Sequence, residues 1–265
     1  MIDAMASGTS LLQVRDLRVG YGAGDAVLHG VRLDLAPGGA LGICGESGSG
    51  KTTLLRAILG LMAISNGEVL WRGRSIAGFR AAQWRALRRI AQPVFQDPLA
   101  SLDPRMRVGT LLAEPLRVHE PGAGRAAREV RIAAALERVG LPAQAAGRFP
   151  HELSGGQCQR VAIARAMMLE PEVLVCDEPV SSLDVSIQAQ VLALLQALHR
   201  ERRVALVFVS HNLAVVRRLC SQVLILRAGT VVEAGPTVDV LDRPRHEYTR
   251  RLIASVPQVP GRAVR

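Results

Sequence analysis

The chain has 265 residues, 49% hydrophobic, 3% aromatic and 21% charged, and its 33 Lys and Arg against 23 Asp and Glu leave a formal net charge of +10. That length suits one large α/β domain with an inserted subdomain; no apolar run approaches the roughly 20 residues that cross a bilayer, and Met1-Ile2-Asp3-Ala4-Met5-Ala6-Ser7 lacks a basic stretch leading into an apolar one, so neither a membrane span nor a secretory signal is expected and cytoplasmic residence is the default. The positive charge invites a nucleic-acid partner, but the arginines are scattered and no basic run is interleaved with stacking aromatics, so no nucleic acid is expected; an anionic lipid surface and a merely solvated Arg-rich surface stay open.

In chain order, Leu11–Val19 and Val27–Leu35 alternate apolar and polar residues like antiparallel strands, with a Gly-rich turn at Gly20–Gly24. Ala40–Cys44 is a short apolar strand. It runs into Gly45-Glu46-Ser47-Gly48-Ser49-Gly50-Lys51-Thr52, a G-x-x-x-x-G-K-[ST] loop, after which Thr52–Leu59 carries helical spacing. A strand before and a helix after are the context this loop needs to cradle phosphate: its glycines let backbone N–H groups turn inward, and the helix start adds its positive end. Lys51 is the one lysine of the chain. A compact ammonium reaches between β- and γ-phosphates where a planar guanidinium is the wrong shape. Thr52 would set its hydroxyl on Mg²⁺, and the loop with Thr53 gives the candidate ATP-binding set.

Gly67–Gly73 reads as another strand, Arg80–Arg89 as a basic helix, and Ile90–Phe95 as a strand running into Gln96-Asp97-Pro98. From about Leu99 to Leu153 the signal is helical, with amphipathic Val108–Val118 and Ala126–Val139 and a Pro/Gly linker at Pro121–Gly124, so an inserted helical subdomain is expected at about 99–155. Strand–helix alternation then resumes: helix Gly156–Leu169, strand Val173–Cys176, helix Asp184–Arg200, strand Val204–Val209, helix Leu213–Leu219 and strand Val223–Leu226. One or two short helices are expected in Gly235–Val256, before a Pro- and Arg-rich tail at 257–265. Cys44, Cys158, Cys176 and Cys220 show no Cys-x-x-Cys pair or metal-ligand spacing and read as packed free thiols.

Val173-Leu174-Val175-Cys176-Asp177-Glu178-Pro179 is an apolar strand ending in two acids. Strand alternation would send the two carboxylates to opposite faces and so to different jobs. Asp177 suits holding Mg²⁺, and Glu178 suits polarising an attacking water as general base. Leu153-Ser154-Gly155-Gly156-Gln157 then opens a helix, where Ser154 and the first N–H groups make an anion site.

With the P-loop, this LSGGQ run and the two acids in that order, the chain resembles the ATP-binding subunit of an ABC transporter. The likeness covers about residues 10–256 as a single ATP-binding domain. It implies an α/β fold: a P-loop NTPase core with a mostly parallel sheet, an N-terminal antiparallel β subdomain and the inserted α-helical subdomain. It also implies that Tyr21 stacks on adenine and that Gln96 contacts Mg²⁺ and the attacking water. Asp184, in Ser182-Leu183-Asp184, would lie in the loop crossing a dimer interface, and His211 would contact the γ-phosphate. Ser154, Gly155, Gly156 and Gln157 would grip the ATP of the opposing subunit.

Val94-Phe95-Gln96-Asp97-Pro98-Leu99-Ala100-Ser101-Leu102-Asp103-Pro104-Arg105, the stretch Asp177–Gln190 and the tail Pro244-Arg245-His246-Glu247-Tyr248-Thr249-Arg250 are similar to the oligopeptide, dipeptide and nickel importer subfamily. That likeness implies a second ATP-binding subunit, the same or a related chain, two transmembrane permease subunits and, indirectly, an external substrate-binding protein. The subunit would sit peripherally on the cytoplasmic face of the membrane and power uptake of di- or oligopeptides. Glu247 stands where Pro is usual, and the chain stops at Arg265 without the longer extension of many relatives, which adds weight to the alternative of nickel or nickel-chelate import. Cys158 follows the signature where Arg or Gln is common, with no loss of activity expected. A non-transport ABC ATPase is the remaining reading; one ATPase unit without a long heptad run argues against it.

Overall fold

Residues 173–177 show how the core is made: Val173 and Val175 join one apolar cluster, while Leu174 and Cys176 join another on the opposite side. A strand sends successive side chains to opposite faces, so a strand apolar at every position is buried on both. The computed structural model describes residues 10–20 and 26–255. Its elements begin with β1 (Leu12–Gly20), β2 (Ala26–Leu35), β3 (Ala40–Cys44), α1 (Lys51–Ile58), β4 (Asn66–Trp71) and β5 (Arg74–Ser75). They continue through α2 (Ala81–Ile90), β6 (Ala91–Val94), α3 (Pro98–Ser101), α4 (Val108–His119), α5 (Arg125–Arg138) and α6 (Gly155–Met167). The last third holds β7 (Val173–Asp177), α7 (Val185–Arg202), β8 (Ala205–Val209), α8 (Leu213–Leu219), β9 (Gln222–Arg227), β10 (Thr230–Pro236), α9 (Thr237–Asp242) and α10 (Glu247–Ala254).

Two sheets result. The first is antiparallel, in the order β2-β1-β4-β5. The second runs β10-β9-β3-β8-β7-β6, parallel throughout except for β10, which returns antiparallel to β9. On one side of this core sheet, Ile43, Val175 and Val207 pack with α1, the antiparallel sheet and Trp71, whose indole N–H donates to Ile58 O at 2.8 Å. On the other side, Leu174, Phe208 and Ile225 pack with residues of α4 to α10.

Between β6 and α6 the chain is helical: α3, α4, α5 and two short 3₁₀ turns at Ala143–Gly147 and Pro150–Glu152. α6 packs against α3, α4 and α5 as well as against β6 and α7, so it belongs to the helical cluster and to the core layer together. Arg165 on α6 ties the two by donating to Ser101 O at 2.7 Å. The elements read from sequence are present with ends that coincide or shift by one or two residues, and both tail helices form. The additions are β5 and β10, which the sequence pattern did not announce.

Candidate active site

Four neighbouring parallel strands, β3, β8, β7 and β6, end at the same edge of the core sheet, and each carries one piece of the site at its end or in the residues just beyond it. The P-loop follows β3, Ser210 and His211 follow β8, Asp177 and Glu178 close β7, and Gln96 follows β6. The carboxyl ends of strands in an open α/β sheet are where ligands bind. There a cavity of about 390 Å³ is lined by Val27, Ser47, Gly48, Gly50, Lys51, Thr52, Thr53, Gln96, Glu178 and His211.

The loop is held in shape from within. Lys51 Nζ donates to Gly45 O at 2.9 Å and to Glu46 O at 2.7 Å, folding the ammonium back over the start of the loop. Burial lowers the Lys51 pKa, while Glu178, Asp177, Cys44 and Glu46 pull it back up. Gly50 caps α1, so the helix begins at Lys51 itself. Ser49 is buried, its hydroxyl has no partner among the described residues, and its carbonyl accepts the Gly229 N–H at 2.9 Å.

Asp177 is the buried last residue of β7, and burial raises its carboxyl above the usual range, with the Glu178 charge adding to the rise. The Thr52 hydroxyl, which hydrogen-bonds it, and the Lys51 and Arg56 charges oppose that rise. A desolvated carboxylate bonded to a Thr hydroxyl beside a Gly-rich loop is a donor set for a hard cation on phosphate oxygens. The buried, unpartnered Ser49 hydroxyl is a further polar group suited to such a ligand.

Glu178 corrects one expectation. It lies beyond the strand, with φ 44, so its direction comes from a left-handed residue and not from strand alternation. Its N–H donates to Val209 O at 3.1 Å, and Oε2 lies 3.1 Å from His211 Nδ1. Glu178 is 19% exposed and His211 64%, so the pair forms one wall of the cavity with the carboxylate as the sheltered member. Ser182 Oγ donates to Gln96 O at 3.5 Å, joining the Gln96 loop to the turn before α7.

Not every expected residue meets at the cavity. Gly45, Glu46, Ser49 and Asp177 are outside the cavity lining, Asp177 being joined to it through its hydrogen bond with Thr52. Ser154, Gly155, Gly156 and Gln157 lie at the start of α6, outside the cavity lining, as does exposed Asp184, which caps α7. Ser154 Oγ accepts the Gln157 N–H at 3.3 Å, while Gln157 Oε1 accepts the Ser154 N–H at 2.9 Å, a reciprocal capping box. Tyr21 lies outside the described residues. Val27, which lines the cavity, and Gly229 and Tyr248, which bond the loop, were not among the residues singled out by sequence; their contacts join distant parts of the chain, and only the tail motif around Tyr248 gave any signal.

Residues 28–181 match the ABC transporter family. The chain belongs to the ABC transporter family. The oligopeptide transport ATP-binding protein OppF of Escherichia coli K12 is 46% identical over 259 residues, spanning 93% of this chain and 78% of that protein. The glutathione import ATP-binding protein GsiA of Salmonella paratyphi A is 44% identical over 265 residues, 96% of this chain but 42% of GsiA. Among solved structures, cbiO1 from Clostridium perfringens, part of the ABC transporter complex cbiONQ, superposes with a TM-score of 0.79 at 27% identity, covering 94% of this chain and 97% of that one. A dimeric post-hydrolysis state of the cassette MJ0796, bound to ADP and Pi, gives a TM-score of 0.77 at 28% identity, covering 85% and 98%. As a member of this ABC family the chain is an ATP-binding subunit whose ATP hydrolysis is coupled to transport.

Proposed function

We propose that the chain binds ATP with Mg²⁺ in the cavity at the four strand ends and hydrolyses it to power uptake of di- or oligopeptides. The observation that carries this is the convergence of the P-loop, Gln96, Glu178 and His211 on one cavity. Lys51 and the loop N–H groups bind phosphate, with Ser47, Gly48, Gly50 and Thr53 around them. Thr52, Asp177 and Gln96 would hold Mg²⁺, which when bound neutralises charge developing on the phosphates. Glu178 takes the proton of the water that attacks in line; His211 orients Glu178 and reaches the γ-phosphate.

The signature at the start of α6 does not line the chain's own P-loop cavity. It therefore completes the site of a second ATP-binding subunit, the same or a related chain, with Asp184 at the interface. The dimeric form of the MJ0796 cassette supports that arrangement. No described helix is long and apolar enough to cross a membrane. Two permease subunits accordingly supply the path, an external binding protein delivers the cargo, and this subunit sits peripherally at the cytoplasmic face. The relatives are named for oligopeptide and for glutathione, which favours peptide cargo over nickel.

Uptake in a strain lacking this chain tests the reading, with labelled dipeptide, oligopeptide and Ni²⁺ assayed side by side. Peptide uptake is expected to fall, to return with the parent chain and to stay absent with Lys51→Ala. Selective loss of Ni²⁺ uptake would overturn the peptide assignment.

A further inference from the structure

The nucleotide loop is bonded not only by its own lysine but by the far end of the chain. Glu46 N–H donates to the Tyr248 hydroxyl at 3.0 Å, across 202 residues of sequence. We propose that Tyr248 is a positioning residue for nucleotide binding, its hydroxyl setting the first turn of the P-loop from the C-terminal tail. The inference rests on the reading of that loop as the ATP site.

The tail is built to hold this oxygen in place. Tyr248 is buried, and the Arg227 guanidinium lies 5.0 Å from its ring centroid. Its own N–H donates to His246 Nδ1 at 3.1 Å, starting α10. The backbone N–H groups of Arg245 and His246 donate to the two carboxylate oxygens of Glu233, at 2.8 and 3.1 Å. Arg250 closes the turn from the other side, donating to Pro244 O and Arg245 O, each at 3.1 Å. The hydroxyl is thus fixed through α10 and its preceding turn to β10, which is paired to β9.

β9 and the turn after it touch the same loop twice more. Leu226 O on β9 lies so close to Gly45 that a Cβ there would sit 2.1 Å away, and Gly229 N–H donates to Ser49 O at 2.9 Å. Gly229 O in turn accepts the His29 N–H from β2, at 2.9 Å. The P-loop is therefore gripped at residue 45 by packing, at 49 by the hairpin and at 46 by Tyr248. The Glu46 grip is the one made by a side chain. A loop already ordered before ligand arrives loses less conformational freedom on binding. That advantage applies equally to bound substrate and transition state, so it acts on KM and leaves kcat alone.

The test compares full-length parent, Tyr248→Phe and Lys51→Ala for ATP turnover, thermal unfolding and amide exchange at Glu46. Tyr248→Phe keeps the ring and removes one oxygen. It is expected to raise KM for ATP about two- to tenfold, the span of one net neutral hydrogen bond, with kcat and Tm little changed and faster exchange at Glu46. An unchanged KM with unchanged exchange would overturn the proposal. So would a fall in Tm with exchange faster along the whole chain, because Tyr248 would then be only structural. A parent whose turnover survives Lys51→Ala would overturn the ATP-site reading instead, and the exchange at Glu46 would still report whether the bond exists.

Discussion

At the residue scale, burial keeps the cysteine thiols out of reach of reagents. All four cysteines are buried: Cys44 and Cys176 are pushed up to about 12 by desolvation, and Cys158 and Cys220 are raised for the same reason. Thiolate is the reactive form. Brief treatment of the native chain with N-ethylmaleimide at neutral pH is therefore expected to label none of them and, after denaturation, all four; native labelling of Cys44 would mean that the strand before the P-loop opens. The P-loop residues were legible from sequence because their chemistry is local: glycines, one ammonium and one hydroxyl at fixed spacing between a strand and a helix. The Glu178 direction was not, since alternation applies only within a strand and the chain turns left-handed one residue past Asp177. Tyr248 was seen as part of a tail motif, but its bond to Glu46 needs the folded tail to bring the two together.

At the element scale, close approach decides which residues are tolerated. Gly42 lies in β3 where α8 crosses it, and a Cβ there would meet Val216 Cγ1 at 2.4 Å. Glycine inside a strand marks such an approach. Gly42→Ala is expected to cost about 1–3 kcal/mol through overpacking, read as a lower midpoint in chemical denaturation; an unchanged midpoint would show that α8 can shift without penalty. Strands β3, β7 and β8 were recognisable because burial on both faces makes them continuous apolar runs. β10 was hidden: it is an edge strand of mostly half-exposed residues ending in Gly235 and Pro236, and what makes it a strand is pairing with β9. Helices α4 and α5 were legible from the spacing of Leu111, Leu112, Ile132 and Leu136, all of which are buried.

At the scale of the whole molecule, the residues of the proposed site fall into two groups, one lining the cavity and one outside it. The P-loop, Gln96, Glu178 and His211 share a cavity; Ser154 to Gln157 start a helix elsewhere. If each subunit supplies the half its partner lacks, ATP joins two subunits, and hydrolysis releases them. Glu178→Gln keeps the shape of the cavity and removes the carboxylate proposed as base, so binding and pairing should persist while turnover falls by about 10²- to 10⁴-fold. The most direct measurement is light scattering of the purified Glu178→Gln chain with and without Mg-ATP, with turnover followed in the same sample. The account predicts the mass of two chains with ATP, of one chain without it, and almost no phosphate release. Turnover at the parent rate, or a single-chain mass at saturating ATP, would contradict it.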